Sequence, residues 1–557
     1  MRLFKHFRFK SHDRKKHKAV NSEHNNGHSR QNLYASTYYG RPPARDYTQI
    51  LPPKVLRIIF TYVCPHSTDD SLNSSEESMT EDGCMLCDMR DLAHCALVCR
   101  RWYPLAQQLL YQHVRIDAVH YCELEIELAA KRKKNSFLNH NAEPIDAPKT
   151  RLLLFMRTVR ESRDLGELVL SLRMPYMTRE ASKSELARTV SVLPNLRYVD
   201  LPAGFYSDEA SSRALKQEVM ARCPDLRRMK YAHGSEGSFS QIPRAQRWAN
   251  IEVLELSRLN VDPNLLRTVL AYFTRLKDLK LEDMRALEDS IFQPVPALPL
   301  FPPVERLTLQ DMPQITASGL VVYVSDRQNA RMLKHLSLSN TAVLPQSLHE
   351  ILVRASGLQS LSITQEVHRA FPMENVPPLA SRTLRLLHYE ITTEDPTYGV
   401  QPVSATYYTY LMSSLLGGNL PALTDLYVRD ANFPETLMLA PPPKIFGGGG
   451  GGSRQPPGLN QCLNVYSKGM DELEWNFTAY EPFAPHGRRG SVTRPVSLHG
   501  AQLSPAWGGE ARRSVLVGNG FGGFLAVPAD EIERPKSSGG WSLRGGRSGK
   551  GKEDLWR

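Results

Sequence analysis

Ile251-Glu252-Val253-Leu254-Glu255-Leu256 returns 25 residues later as Leu276-Lys277-Asp278-Leu279-Lys280-Leu281. In each stretch the last two apolar residues stand two apart, so a strand sends both to one face and the residues between them to the other. The same L-x-x-L-x-L pattern runs outward in both directions. Upstream it reads Leu226/Met229/Tyr231, Leu196/Val199/Leu201 and Leu165/Leu168/Leu170. Downstream it reads Val304/Leu307/Leu309, Leu333/Leu336/Leu338, Leu358/Leu361/Ile363, Leu384/Leu387/Tyr389 and Leu423/Leu426/Val428. The central residues stand 25 to 31 apart through Leu387, and 39 apart at the last step. An eleventh copy is expected at Met470/Leu473/Trp475.

The segments between copies have helical spacing, as in Leu215/Val219/Cys223, Leu266/Val269/Leu270/Phe273 and Leu348/Leu352/Ala355. Asp262-Pro263 offers a helix N-cap followed by proline in the first turn. A strand and a helix repeated this way bury a continuous core only when stacked on their neighbours. The period falls in or just above that of leucine-rich repeats. The expected fold class is therefore α/β, a small helical N-terminal unit followed by a leucine-rich-repeat β/α solenoid, or horseshoe, with disordered termini.

The chain has 557 residues, of which 41% are hydrophobic, with 39 prolines and 35 glycines placed unevenly. Lys and Arg outnumber Asp and Glu by 69 to 58, and part of that +11 excess lies in the terminal regions, as in Arg14-Lys15-Lys16. Residues 1–46 read as a disordered basic arm and 484–557 as a disordered basic tail. Between them, 47–118 reads as the helical unit with an insertion at about 67–88, and 119–164 as a helical linker. Residues 165–483 read as the solenoid, broken by a Gly-rich loop at 445–460. Eight irregularly spaced cysteines do not form a secreted disulfide framework. No window reaches the ~18 apolar residues of a membrane span. The expected location is cytoplasmic, nuclear or both, with no membrane partner.

Catalytic signatures are thin. The chain has no G-x-x-x-x-G-K-[ST] phosphate loop and no H-E-x-x-H zinc helix. Gly518-x-Gly520-x-x-Gly523 follows a strand-like run, but Phe524-Leu525-Ala526-Val527-Pro528 begins no helix, as a dinucleotide site would require. Cys84-x-x-Cys87 has zinc-knuckle spacing, and with Cys64-x-His66 it forms a candidate S₃N zinc set of Cys64, His66, Cys84 and Cys87. Cys95 and Cys99 read instead as core residues of a helix. Residues 70–82 form an acidic serine cluster that reads as a solvated loop and, like Ser491 behind Arg488-Arg489, as a phosphorylation candidate.

Leu51-Pro52-Pro53-Lys54-Val55-Leu56-Arg57-Ile58-Ile59-Phe60 starts a short apolar helix, and Asp91-Leu92 through Leu97-Val98-Cys99-Arg100-Arg101-Trp102 starts another. The second is apolar on most of its circumference, and so small a unit cannot bury every face alone. The two stretches resemble the F-box, L-P-x-E-[VL]-L-x-x-I-F followed by D-L-x-x-x-x-x-V-C-[KR]-x-W. The resemblance implies docking to the Skp-type adaptor, and through it the cullin, of an SCF ubiquitin ligase. It implies that Leu51, Pro52, Val55, Leu56, Ile59, Phe60, Leu92, Leu97, Val98, Cys99 and Trp102 form the adaptor-binding set, facing the adaptor or holding the helices against it. Lys54 replaces the family's usual Glu, and about twenty extra residues separate the two halves. With its repeats and low-complexity tail, the chain is similar to F-box proteins of filamentous fungi.

In leucine-rich repeats the residues flanking the inner leucines face outward on the concave side. Here Tyr198, Asp200, Arg228, Lys230, Glu255, Asp278, Lys280, Arg306, His335 and His388 become the candidate target-binding set. The expected function is thus a target-recognition subunit of an SCF-type E3 ubiquitin ligase, without catalytic residues or cofactor. Two other readings stay open. One is a leucine-rich scaffold using the F-box in a non-ubiquitin complex. The other is a zinc-dependent nucleic-acid binder, although the face lacks an evident base-stacking platform.

Overall fold

The computed structural model describes residues 50–78, 84–118, 120, 122–135, 146–372, 376–393, 402–439, 459, 461–469 and 472–481, together with strands 514–518 and 524–528. The basic arm, most of the tail and all but Leu459 of the Gly-rich stretch lie outside them. The chain divides into two units, Met1–Ser497 and Leu498–Arg557. The first is mixed α/β with a predominantly parallel sheet.

Three helices open the first unit: α1 (Pro53–Val63), α2 (Met85–Val98) and α3 (Trp102–Gln112). Three short parallel strands follow, β1 (His113–Arg115), β2 (Ser171–Arg173) and β3 (Tyr198–Val199). Helices α4 (Glu123–Asn135) and α5 (Ala147–Glu161) lie between β1 and β2. The larger sheet has nine parallel strands in sequence order: β4 (Arg228–Ala232), β5 (Val253–Ser257), β6 (Asp278–Glu282), β7 (Arg306–Met312), β8 (His335–Thr341), β9 (Ser360–Glu366), β10 (Leu386–Thr392), β11 (Asp425–Val428) and β12 (Leu463–Ser467). A tenth, β13 (Asn476–Tyr480), returns antiparallel on β12. The main-chain N–H of Arg227 donates to the Arg197 carbonyl at 2.9 Å, linking the β3 edge to β4. Pro202, which has no N–H, follows close behind β3 and limits its ladder.

The register follows the leucines. Met229, Leu254, Leu279, Leu307, Leu336, Leu361, Leu387, Leu426 and Val465 are direct neighbours from strand to strand. Leu254 and Leu256 of β5 are buried while Val253, Glu255 and Ser257 are half-buried, and β4 and β6 alternate the same way. A one-residue slip would turn every such leucine outward, so the pattern pins the pairing. Parallel neighbours need a long crossover, supplied here by helices such as Pro263–Tyr272, Ala317–Ser325 and Leu348–Arg354. Asp262 caps the first of these, its carboxylate accepting from the N–H groups of Asn264 and Leu265 at 3.1 and 3.2 Å. The leucines and helix faces merge into one core reaching from Phe60 to Val465.

Both ends of the repeat depart from expectation. Leu165 and Leu168 belong to a short helix, Arg163–Leu168, and the first true copy is Val169/Leu172/Met174, with Leu172 paired to Val199. Ser162-Arg163-Asp164 starts a helical turn there, which takes the first two leucines out of the strand. Still earlier, Val114 pairs with Leu172, so β1 adds a strand that the leucine count passed over. At the other end Leu473 is 95% exposed, and Met470 lies outside the described residues. The last parallel strand is instead β12, whose Leu463, Val465 and Ser467 turn inward.

In the second unit, expected to be disordered, Ser514–Gly518 pairs antiparallel with Phe524–Pro528. Both runs are rich in strand-forming residues. That hairpin also excludes the strand–helix turn a dinucleotide site needs.

Candidate functional site

The helical unit carries two apolar faces on one short helix. On α1, Leu56, Phe60 and Val63 recur at i, i+4 and i+7 and turn into the core. Val55, Ile58, Ile59 and Tyr62 recur at i, i+3, i+4 and i+7 and face outward, Ile58 at 55% and Tyr62 at 82% exposure. Leu97 and Val98, which end α2, and Cys99 just after it are also exposed. The expected contact set therefore splits. Leu56, Phe60 and Leu92 are core residues and fall on the supporting side of that set. Trp102 is half-buried edge-on against Phe60, with ring centroids 5.0 Å apart. Leu51 is half-buried, its carbonyl accepting from the Arg101 guanidinium, and Pro52 is exposed at the start of α1. Ile58 and Tyr62 are the outward residues that the motif did not name. Cys95 packs against the core, but Cys99, expected there with it, lies past the helix end and is exposed.

The described part of the acidic serine segment is not a free, solvated loop. Residues 69–78 lie across the outward positions of the first strands, held by a row of cations. Arg173, only 1% exposed, donates through Nε to the Asn73 carbonyl at 3.1 Å and through Nη2 to the Ser71 carbonyl. Both of its Nη atoms reach the Asp69 carbonyl, at 3.4 and 3.3 Å. Arg115 donates to the carbonyls of Ser75 and Ser78 at 3.0 and 2.6 Å. Arg228 donates to the Leu72 carbonyl at 2.6 Å and pairs with Glu77 at 3.1 Å, while Arg179 pairs with Glu76 at 3.1 Å. Desolvation pushes Glu77 up, but Arg228 prevails and holds it below the usual carboxylate range. Asp200 accepts from the N–H of Ser75 at 3.1 Å, the N–H of Met174 at 2.9 Å and the Tyr198 hydroxyl at 2.6 Å. Burial nevertheless outweighs these bonds and raises the Asp200 pKa. Tyr198 and Asp200, expected on an open surface, are thus buried under the chain's own segment. Ser75 is buried too, and Ser491 lies outside the described residues. A cavity of about 380 Å³ beside the segment is lined by cationic and aromatic residues, among them Tyr176, Arg179, Tyr206, Lys230, His233 and Arg258.

Beyond β4 the outward positions are half-buried or exposed, apart from the buried Glu390 of β10. Charge there is largely self-compensated: Arg228 pairs with Glu255, Arg306 with Asp278 at 3.5 Å, and Lys280 with Glu282 at 3.2 Å. Burial raises Asp278, while burial and the Arg306 charge lower His335. Toward the last strands the face becomes aromatic. His388, Tyr427, Tyr466 and Phe477 occupy matching positions on β10 to β13. Tyr427 and Tyr466 stack with centroids 4.3 Å apart and planes within 8°, and Trp475 closes edge-on to Tyr427 at 5.2 Å. Lys468 places its ammonium 4.1 Å from the Trp475 ring centroid. His388 also meets Glu390, Nε2 to Oε1 at 2.5 Å. Of this cluster His388 belongs to the target set read from the repeat. Tyr466, Trp475 and Phe477 follow the long insertion, and only the hairpin brings them back.

The expected zinc set does not assemble. Cys64 is fully buried, its thiol pushed up to about 11 by burial, and His66 faces Asp88 at 3.5 Å. The structure instead gathers the thiols of Cys84, Cys87 and Cys122 within 4.8 Å of one another. His120 Nδ1 lies 3.9 Å from the Cys84 thiol. Cys122 was passed over because 34 residues separate it from Cys87, although His120-x-Cys122 repeats a ligand-like spacing.

Compared with protein-family models and with curated proteins, the chain matches none. No helix among the described residues is long and apolar enough to cross a membrane.

Proposed function

We propose that this protein is a target-recognition subunit of an SCF-type ubiquitin ligase. The observation that carries the reading is the outward apolar row on α1, Val55, Ile58, Ile59 and Tyr62, together with Leu97 and Val98 at the end of α2. The unit's core is already filled by Leu56, Phe60 and Leu92 from the opposite sides of the same helices. Contiguous apolar surface left outside a filled core is characteristic of a docking site. The F-box resemblance of these residues names the Skp-type adaptor as occupant, with the cullin joined through it.

On this reading the β/α stack is a leucine-rich-repeat solenoid whose outward strand positions line the concave, target-binding side. Segment 69–78 covers its first strands, so the target's footprint lies from β5 onward. Its anchor is the aromatic cluster of Tyr427, Tyr466, Trp475 and Phe477, because aromatic side chains dominate the energetics of protein contacts. The mechanism is proximity: holding the target beside the ubiquitin-loaded enzyme raises its effective concentration. No catalytic group is required of this chain.

Ubiquitination reconstituted with adaptor, cullin and RING subunit tests the reading. Tyr427→Ala/Trp475→Ala should keep adaptor binding and lose target modification. Failure of the intact chain to retain the adaptor would overturn the assignment.

A further inference from the structure

We propose that Cys84, Cys87 and Cys122, with His120, form a structural zinc site that fastens the insertion end of α2 to the start of α4. Three thiols lie within 4.8 Å of one another, and the imidazole Nδ1 is 3.9 Å from Cys84 Sγ. With Zn–S near ~2.3 Å and Zn–N near ~2.05 Å, tetrahedral angles require S···S of about 3.8 Å and S···N of about 3.6 Å. The three thiols therefore need only a small inward adjustment to close on one ion, while His120, close to Cys84 but outside the 4.8 Å group, must swing further in to complete the set. All four residues are partly buried, so the ligands sit sheltered but within reach of solvent.

The backbone favours anionic sulfur here. Cys84 precedes α2 and Cys122 precedes α4, so two helix N-termini converge on the cluster. The Cys84 carbonyl accepts from the N–H groups of Cys87 and Asp88, and the Cys122 carbonyl from those of Glu125 and Ile126, so both residues cap their helices. Positive helix ends stabilise thiolates. A disulfide satisfies the cluster less well, since pairing two of three thiols leaves the third beside them. Zinc also resolves the long interruption between the halves of the helical unit. The ion pins Cys84, near the end of the insertion, to His120, 36 positions further on, and α2 carries Leu97 and Val98 at its other end. Binding releases the thiol protons and leaves the metal in its Zn²⁺ state, with no redox partner needed.

The test is native mass spectrometry of the full chain, purified under reducing conditions with zinc in the buffer. The proposal predicts one tightly held zinc per chain. Cys87→Ser and Cys122→Ser should each lose it, whereas Cys462→Ser, at an exposed cysteine outside the cluster, should retain it. Cobalt in place of zinc should give the intense absorption of tetrahedral thiolate coordination. Should the serine variants fail to fold, two measurements decide. Cys122→His should keep the metal, and chelator added to the intact chain should speed amide exchange at the first turns of both α2 and α4. A metal-free intact chain whose thiols react equally with and without chelator overturns the proposal. So does a Cys84–Cys87 disulfide in the isolated protein, or a zinc that survives both serine substitutions.

Discussion

Replacing Arg173 by Met keeps the length of the stem and removes the donors. Arg173 is 1% exposed and makes a 3.1 Å bond to the Asn73 carbonyl, a bond to the Ser71 carbonyl, bonds of 3.3 and 3.4 Å to the Asp69 carbonyl and a 3.4 Å ion pair with the Asp69 carboxylate. Hydrogen bonds to a charged donor contribute about 1.5–3 kcal/mol each. Their sum overstates the loss, because the segment can lift away and return its carbonyls to water. Breaking one buried ion pair costs about 3–5 kcal/mol, and detachment brings the expected value to the lower end, about 3 kcal/mol. By the rule that about 1.4 kcal/mol is tenfold, the amide of Ser75, now bonded to Asp200, should exchange about 100-fold faster. Urea denaturation and amide exchange by mass spectrometry read the two effects. Unchanged stability with unchanged Ser75 protection would refute the claim that the cation row holds segment 69–78.

Four further outcomes are expected. Leu279→Ala, in the middle of the inward leucine ladder, should cost about 2–5 kcal/mol in chemical denaturation, and an unshifted midpoint would count against the stacked core. Ile59→Asp, on the outward side of α1, should change stability by no more than about 0.5 kcal/mol; cooperative loss of structure would mean the helix packs differently. Tyr427→Ala removes a stacked and an edge-on aromatic partner, each pair contributing about 0.5–1.5 kcal/mol. Thermal melts should show a drop of that order, and no drop would remove the cluster as a built surface. Burial holds the His113 imidazole below its ordinary pKa, its Asp70 neighbour pulling up and Arg173 pushing down. A base lowered by folding leaves full stability above the unfolded value of about 6.5 and loses it as the pH falls toward the folded value. His113→Gln should flatten the stability profile between neutral and mildly acidic pH, and a parallel profile would contradict this.

The strand register from Met229 to Leu426 was legible because a period-two apolar pair fixes both the face and the neighbour of each strand. The end copies misled for physical reasons. Leu165 and Leu168 were spaced for the repeat but lie on a short helix, and Leu473 sits in the bend before an antiparallel return strand. The apolar spacing located α1 and α2 but could not sort Leu56 from Ile59. That distinction depends on which side of α1 meets α3, and the motif contains both sides. Contacts distant in sequence were beyond reach. Nothing local tells that Arg173 would meet Ser71, or that Cys122 would join Cys84, because each pairing arises only when the helices and strands have stacked.

The most direct test of the central claim is capture of a purified Skp-type adaptor by the full chain, compared with an Ile59→Asp/Tyr62→Ala variant that keeps its fold by circular dichroism. The account predicts that the intact chain retains the adaptor, and cullin through it, and that the variant retains neither. An intact, folded chain that fails to hold the adaptor, or a variant that holds it equally well, would contradict the account.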